Sequence, residues 1–361
     1  MMIRPENIYH MLGYVFGLPD GHDRPHSQGD RKFENDADLC AAILGEGIKK
    51  QVRQGIRKGY VPQTASLALL RGRLDWPASL KSGGVVTRRL VCAYDEFLPD
   101  IHLNRILKTT LAWLLKAPLS RERKCSLAAL LPYFKDVQEL DPERINWRIQ
   151  YDRNTHSYRL LMYICSLVLQ GLVQRHAGGS VTVHKDLGTR ALDKMHDLYE
   201  RFVRAYYQRH FPETHPKTSS FRWATDDGRD VMLPQMKTDV QLTYKKKILI
   251  IDTKYYNASL QLNKYNTSEP STTASKTLIS QHLYQIFCYV KNMAAHEGKS
   301  GHEVSGLLLY ALTEDGALEQ SYEMCGNRIG VRTLDLGSEF SRITEQLNAI
   351  ARDYLGCSPT G

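Results

Sequence analysis

The chain contains no apolar run long enough to cross a bilayer, no Cys-x-x-Cys pair and no complete phosphate-binding loop. Each absence excludes something. Its longest apolar run, Leu160 to Leu169, falls well short of the roughly 20 residues a membrane helix requires, and it reads as a buried core helix. Arg4 and Glu6 interrupt the start, so no secretory signal is expected and the chain is assigned to the cytoplasm, with no membrane partner. Seven cysteines stand at positions 40, 92, 125, 165, 288, 325 and 357. An odd number without metal-like spacing points to thiols in a reducing compartment. His22 and His26 share a loop rich in Gly, Pro and Asp, but they lack the further ligands of a zinc site. Gly298-Lys299-Ser300 imitates the end of a phosphate-binding loop, yet Met293 stands where the first glycine belongs. No nucleoside triphosphate is expected to bind, so any nucleotide-driven work must come from another subunit.

What is present suits two ordinary domains. The chain has 361 residues, 42% of them hydrophobic, and 48 basic against 39 acidic side chains. The basic excess is uneven: residues 1–177 hold 26 Lys and Arg against 18 Asp and Glu, whereas the remainder holds 22 against 21. The excess suits an acidic partner, either a phosphate backbone or an acidic protein surface, and charge alone does not choose between them. Residues 1–177 read as a mixed helical domain. Helices are expected over Asn7 to Phe16, Asp36 to Lys58, Leu103 to Lys116, Ser120 to Tyr133 and Asn154 to Arg175. A β-rich insert from Tyr60 to Tyr94 lies between them, with strands over Val61 to Leu70, Leu74 to Trp76 and Val85 to Ala93. Its Arg71, Arg73, Trp76, Lys81, Arg88 and Arg89 suit either nucleic acid or a protein docking surface. Ala177 to Ser180 reads as a hinge. Residues 178–361 then alternate helix, hairpin, polar loop, helix, a strand at Val304 to Leu312 and a last helix from Glu339 to Tyr354. That alternation implies an α/β core with a mixed central sheet.

The chemistry concentrates in one hairpin. Asp239-Val240-Gln241-Leu242-Thr243 alternates like a half-buried strand, and Lys247 to Lys254 is apolar and β-branched like a deeply buried one. A reversal centred on Lys245-Lys246 pairs residue i with residue 491 − i, which sets Asp239 opposite Asp252. Opposed Cβ atoms lie about 4.5–5.5 Å apart, and two like charges there destabilise a sheet unless a cation sits between them. Lys254, two residues beyond Asp252, points to the same face. Two carboxylates suit Mg²⁺, which prefers hard oxygen ligands and keeps several waters.

This order of Asp, a hairpin and then Asp-x-Lys resembles the PD-(D/E)xK nuclease superfamily. Pro234 stands five residues before Asp239, so the superfamily's Pro-Asp pair is absent; a proline contributes no ligand. Downstream, Gln285 and Tyr289 lie four apart on the helix that begins at Ser280. They resemble the Gln-x-x-x-Tyr signature of the RecB-like branch, which implies a place beside the metal and the DNA. Glu200, on a helix opened by Asp197, is either a third acidic metal ligand, as that resemblance implies, or an ion-pair partner of Arg204.

A narrower resemblance covers nearly the whole chain. Ile3 to Tyr14, Leu70-Arg71-Gly72-Arg73-Leu74-Asp75, Asp95-Glu96-Phe97, Leu198-Tyr199-Glu200-Arg201-Phe202, Leu233 to Asp239, Ile248 to Tyr256 and Gln281 to Gln285 are similar to McrC proteins, in the same order. The resemblance implies a Mg²⁺-dependent DNA endonuclease subunit of a GTP-driven, 5-methylcytosine-dependent restriction system. Its partners would be an McrB-type AAA+ GTPase hexamer and double-stranded DNA containing modified cytosine. Residues 1–177 would dock on and stimulate the GTPase, and residues 178–361 would be the nuclease. Asp239, Asp252 and the Thr253 carbonyl would bind metal, Lys254 would assist the attacking water, and Gln285 and Tyr289 would brace the site. Two alternatives stand beside this: an inactive adaptor of the GTPase, and a self-sufficient RecB-like repair nuclease. The polar segment Asn257 to Lys276 is expected to become ordered only when DNA or the partner arrives.

Overall fold

The computed structural model describes residues 3–17, 33, 35–172, 174–175, 181–182, 189–256, 258–262, 276–297 and 301–360. The loop around His22 and His26, the hinge at 177–180 and the Gly298-Lys299-Ser300 triplet lie outside these. Pro5 in the first turn starts α1 (Pro5–Phe16), and Gly17, in the left-handed region at φ 69°, ends it. The chain divides into two units, residues 33–188 and residues 1–32 with 189–361.

In the first unit, the Asn35 side chain accepts from the Asp38 N–H and caps α2 (Asp36–Arg53). β1 (Gly59–Leu67) pairs along its whole length with β3 (Leu90–Leu98), and the short β2 (Arg73–Leu74) lies on the other side of β3. Trp76 and residues 85–87, expected in strands, and the turn expected between them instead form α3 (Trp76–Lys81) and α4 (Gly84–Thr87). The physical cause is local: the Asp75 carboxylate caps the Ala78 N–H at 3.0 Å and Pro77 sits in the first turn. Helices α5 (His102–Leu114), α6 (Arg121–Ala128) and α7 (Tyr158–Leu167) follow, and α7 runs into a π-helical stretch, Val168–Leu172. The apolar run on α7 is buried, as its composition predicts. A two-residue ribbon, β4 (Gln174–Arg175) with β5 (Val181–Thr182), closes the unit.

The second unit begins with α8 (Thr189–His210), which starts eight residues before Asp197. Short strands β6 (Ser220–Phe221) and β7 (Met236–Lys237) pair with each other, and then β8 (Val240–Tyr244) and β9 (Lys247–Lys254) form the expected hairpin. Its register runs from Tyr244↔Lys247 to Val240↔Ile251, every pair summing to 491 as read from the sequence. β10 (Leu260–Leu262) and β11 (Lys276–Leu278) pair antiparallel, so both ends of the segment read as a polar loop are strand. Asp315 grips that ribbon, accepting from the Ser259 and Leu260 N–H groups and from Lys276. Residues 263–275 lie outside the described set.

After α9 (Ser280–Glu297) come β12 (Glu303–Ala311), β13 (Glu319–Met324), β14 (Asn327–Leu334) and α10 (Phe340–Leu355). The five-stranded sheet has the order β13-β14-β12-β9-β8. β12 runs parallel to both β9 and β14, and the outer pairs are antiparallel. It is the mixed sheet expected. β9 is flanked on both sides and almost wholly buried, which explains its unbroken apolar composition. Ile248 and Ile250 pack with Ile286, Val290 and Met293 of α9 on one face. A Cβ on Gly306 of β12 would meet Val290 Cγ2 at 2.6 Å and Ile286 Cγ1 at 2.8 Å, so only glycine lets the helix lie this close.

The sequence groups α1 with residues 1–177, and the structure places it elsewhere. Asn7 donates to the Leu336 and Ser338 carbonyls, and Tyr14 sits among Phe202, Tyr206, His210 and Phe340. These buried contacts hold the N-terminal helix to the sheet-bearing unit.

Candidate active site

Strand periodicity sends Ile248, Ile250, Asp252 and Lys254 to the α9 side of the sheet. The apolar pair fills the core and the charged pair continues it toward the strand's end. Asp252 and Lys254 are 1% and 5% exposed, and Lys254 Nζ lies 2.6 Å from Asp252 Oδ2. The lysine's directed hydrogen bond goes to Gln285 Oε1 at 2.8 Å, and Asp252 Oδ2 receives no aligned donor. The pair is held at ion-pair distance by charge, and burial keeps the Asp252 carboxylate from water.

Asp239 lies one residue beyond the end of β8. The hairpin ladder stops at Val240↔Ile251, and the chain turns aside, where Thr238 bonds Ser219. The Asp239 carboxylate takes over where the strand leaves off. Its Oδ2 accepts from both the Thr253 N–H and the Thr253 hydroxyl at 2.7 Å. Both groups of Thr253 act as donors to Asp239, and its carbonyl is the candidate metal ligand from this residue. The Asp239 backbone is fixed in turn: its carbonyl accepts from Arg204 Nη1 and from the Thr218 hydroxyl, each at 3.1 Å. Arg204 also donates to Glu200 Oε1 at 2.8 Å. Glu200 thus makes the i+4 ion pair foreseen as one of its two readings, and through Arg204 it is tied to Asp239.

On α9, Gln285 Nε2 donates to the Tyr289 hydroxyl at 3.0 Å, so a continuous chain runs Asp252–Lys254–Gln285–Tyr289. One turn earlier, His282 Nδ1 bonds the Tyr310 hydroxyl at 2.8 Å, and Tyr256 stacks on the imidazole. Burial, with the Lys254 charge second, pushes His282 down to about 4, so the ring is neutral at physiological pH. Sequence reasoning missed Arg204's hold on Asp239, the Thr253 donors and the His282–Tyr310 pair. None of the three left a signal; the four-residue spacing of Glu200 and Arg204 marks only their own ion pair.

The electrostatics of Asp252 are those of an acid short of positive charge. Burial raises its pKa to about 7; Lys254 pulls it down, and the nearby Asp239 and Glu200 charges push it up. A carboxyl in that state gains from a divalent cation. Among the described residues no three His, Cys, Asp or Glu side chains converge on one point. The protein could therefore supply two carboxylates and a carbonyl, with the remaining positions going to water and a phosphate oxygen. The hard oxygen donor set, and a buried Asp252 carboxyl whose pKa stays raised despite Lys254, fit such an ion.

A family model described as McrBC 5-methylcytosine restriction system component matches residues 6–311. The chain belongs to this family. It is 26% identical over 361 residues to the Escherichia coli K12 protein named Type IV methyl-directed restriction enzyme EcoKMcrBC, covering 98% of this chain and 99% of that one. Two solved structures from Thermococcus gammatolerans are also similar. One is a half-complex from a tetradecameric assembly of McrB AAA+ hexamers with bound McrC, at 17% identity and TM-score 0.49, covering 96% of this McrBC-family chain and 76% of that one. The other is the McrBC complex, at 19% identity and TM-score 0.39, covering 57% and 58%. Among the described residues of the McrBC-family chain, no helix is long and apolar enough to cross a membrane.

Proposed function

We propose that the chain is the Mg²⁺-dependent DNA endonuclease subunit of a GTP-driven, 5-methylcytosine-dependent restriction complex, working with an McrB-type AAA+ GTPase ring. The observation that carries this reading is the buried Asp252–Lys254–Gln285–Tyr289 chain with Asp239 beside it. A buried ion pair of this kind is weak support for stability alone. A buried carboxyl whose pKa stays raised despite its lysine makes sense in a site that handles a phosphodiester and its metal. The family and its E. coli relative supply the methylcytosine context.

Asp252, Asp239 and the Thr253 carbonyl would hold Mg²⁺, which when bound acidifies a water and screens phosphate charge. The remaining steps belong to the chain's own residues. Thr253 fixes the Asp239 carboxylate by two hydrogen bonds, so that only Oδ1 is left to reach a ligand. Gln285 holds the Lys254 ammonium on the Asp252 side of the sheet, where it orients the attacking water and stabilises charge building on the phosphoryl oxygens. As the water oxygen bonds to phosphorus and gives a proton to solvent, the bond from phosphorus to the leaving sugar oxygen breaks and that oxygen takes up a proton from solvent. Tyr289 braces Gln285 through its hydroxyl. Arg204 and Glu200 anchor the Asp239 backbone.

Within this reading the nuclease resides in the unit that carries α8 to α10, and the unit of residues 33–188 docks on the ring and stimulates it. The exposed Tyr60 and Phe97, whose rings face each other across β1 and β3 at 5.4 Å, suit such a docking surface. The test is reconstitution: chain, ring, GTP, Mg²⁺ and methylated duplex should yield double-strand breaks. Omission of the ring should abolish them. Cleavage by the isolated chain would instead favour a self-sufficient nuclease, and GTPase stimulation without any cleavage would favour an inactive adaptor.

A further inference from the structure

The connection from β6 to β7 holds an anomaly. Val231 and Met232 are 84% and 96% exposed, Leu233 is 43% exposed, and Met232 takes a positive φ of 69°. A large apolar side chain in water, on a backbone conformation that L residues rarely adopt, does nothing for folding. Yet the loop beneath is well built. Trp223 Nε1 donates to the Pro234 carbonyl at 2.7 Å, and the Ala224 N–H donates to Asn292 Oδ1 at 2.8 Å. His296 bonds the Arg222 carbonyl, and Arg222 pairs with Asp230 at 3.1 Å. Asn292 and His296 lie on α9, so the loop is pinned to the helix that bears Gln285.

Both ends of the loop lead into the site. Its far end enters β7, and Asp239 follows two residues after that strand. At its near end Phe221 packs edge-on against Tyr289 at 6.4 Å, and Tyr289 bonds Gln285. The apolar tip is thus fixed relative to the candidate catalytic groups from two directions. Beside it, an open groove of about 280 Å³ is lined by Arg222, Trp223, Asp230, Leu233, Pro234 and Gln235.

We infer that Val231 and Met232 form a wedge that enters the minor groove of the DNA duplex beside the scissile phosphate, unstacking a base step there. The inference rests on the nuclease reading and gives its substrate side a second contact. The stretch from Val231 to Met236 carries no charge, which suits base and sugar surfaces rather than phosphate. Arg222, Arg229 and Lys237 flank it and are balanced by Asp226, Asp227 and Asp230, so the tip offers an apolar contact on a loop of no net charge. Two of the loop's carboxylates, Asp227 and Asp230, are turned to Arg229 and Arg222. Architectural proteins use the same device: apolar side chains such as Met, Leu or Pro are pushed between base steps to kink the helix toward the major groove.

Met232→Gly provides a clean test, because glycine accepts the positive φ and should leave the fold as stable or more so. The measurement uses the full complex with Ca²⁺ in place of Mg²⁺ and duplexes carrying 2-aminopurine at successive steps around the cut site. Wild-type protein should raise the fluorescence at one step. Met232→Gly and Val231→Ser should abolish that rise and slow cleavage in Mg²⁺ by about tenfold, with ring assembly and GTP hydrolysis unchanged. Unchanged fluorescence with wild-type protein at every step would overturn the wedge, as would a Met232→Gly variant that cleaves and unstacks like wild type. Loss of assembly with the ring or with a second copy would show instead that the tip docks on protein. The fluorescence needs no cleavage, so the wedge and the nuclease reading fail separately.

Discussion

Lys254 Nζ stands 2.6 Å from Asp252 Oδ2 on the buried face of β9, yet directs its hydrogen bond to Gln285. The lysine neutralises the acid without saturating it. That leaves room for a cation and a phosphate, and it makes the two residues separable by mutation.

Lys254→Ala should remove cleavage by about a thousandfold, because Lys254 is the cation held against Asp252. It should also cost on the order of 2 kcal/mol of stability at neutral pH, the penalty of stranding a buried carboxylate, limited because Asp252 can take up a proton. Urea unfolding at pH 7 and at pH 5 checks this. The loss should be smaller at pH 5, where the carboxyl is already protonated.

The raised pKa of Asp252, about 7 against an ordinary 3.8, fixes the sign of a pH dependence. Between those values the folded chain binds the proton more tightly than the unfolded chain does. Folding stability from this group therefore falls as pH rises from about 4 through about 7. Asp252→Asn should remove that slope. Mg²⁺ favours the ionised form, so its apparent affinity should climb over the same window and level off above it, as read by calorimetric titration.

Gln285→Ala should lower the single-turnover cleavage rate by about 10- to 100-fold, since Lys254 loses its only directed partner. Tyr289→Phe keeps the ring contact with Phe221 and loses one hydrogen bond, so a smaller loss is expected. Equal losses in the two variants would contradict the order of the chain.

Glu200 is bound by Arg204, which also holds the Asp239 carbonyl. Glu200→Gln should therefore reduce the cleavage rate by about tenfold without changing the Mg²⁺ concentration that gives half-maximal activity. A several-fold shift in that concentration would make Glu200 a metal ligand.

Much of the site was legible before the structure. The two-residue reversal at Lys245-Lys246 fixes the hairpin register, and period-two alternation sets Asp252 and Lys254 on one face. Helical spacing likewise joins Gln285 to Tyr289. What stayed hidden was non-local or overrode local pattern. Asp239 was expected simply to face Asp252 across the ladder. Because the ladder ends at Val240, its carboxylate grips Thr253 instead, a detail no periodicity carries. The Arg204 bond to the Asp239 carbonyl spans 35 residues and has no sequence signature. β13 is exposed along nearly its whole length, so it lacks the alternation that marks a strand. Val85-Val86-Thr87 is β-branched and reads as the start of a strand, yet Gly84–Thr87 is a helical turn, and the Asp75 cap makes Trp76–Lys81 helical. α1 packs on α8 through Tyr14 and on the segment before α10 through Asn7, contacts whose partners lie 196 and 329 residues away.

The central claim is that Asp252 belongs to a phosphodiester-cleaving site distinct from the surface that drives the GTPase. Asp252→Ala in the reconstituted complex, with GTP hydrolysis and breakage of methylated DNA followed in the same reaction, tests it most directly. Stimulated GTP hydrolysis should continue at the wild-type rate, with no double-strand breaks. Breaks that persist at wild-type frequency in a folded Asp252→Ala chain would contradict it.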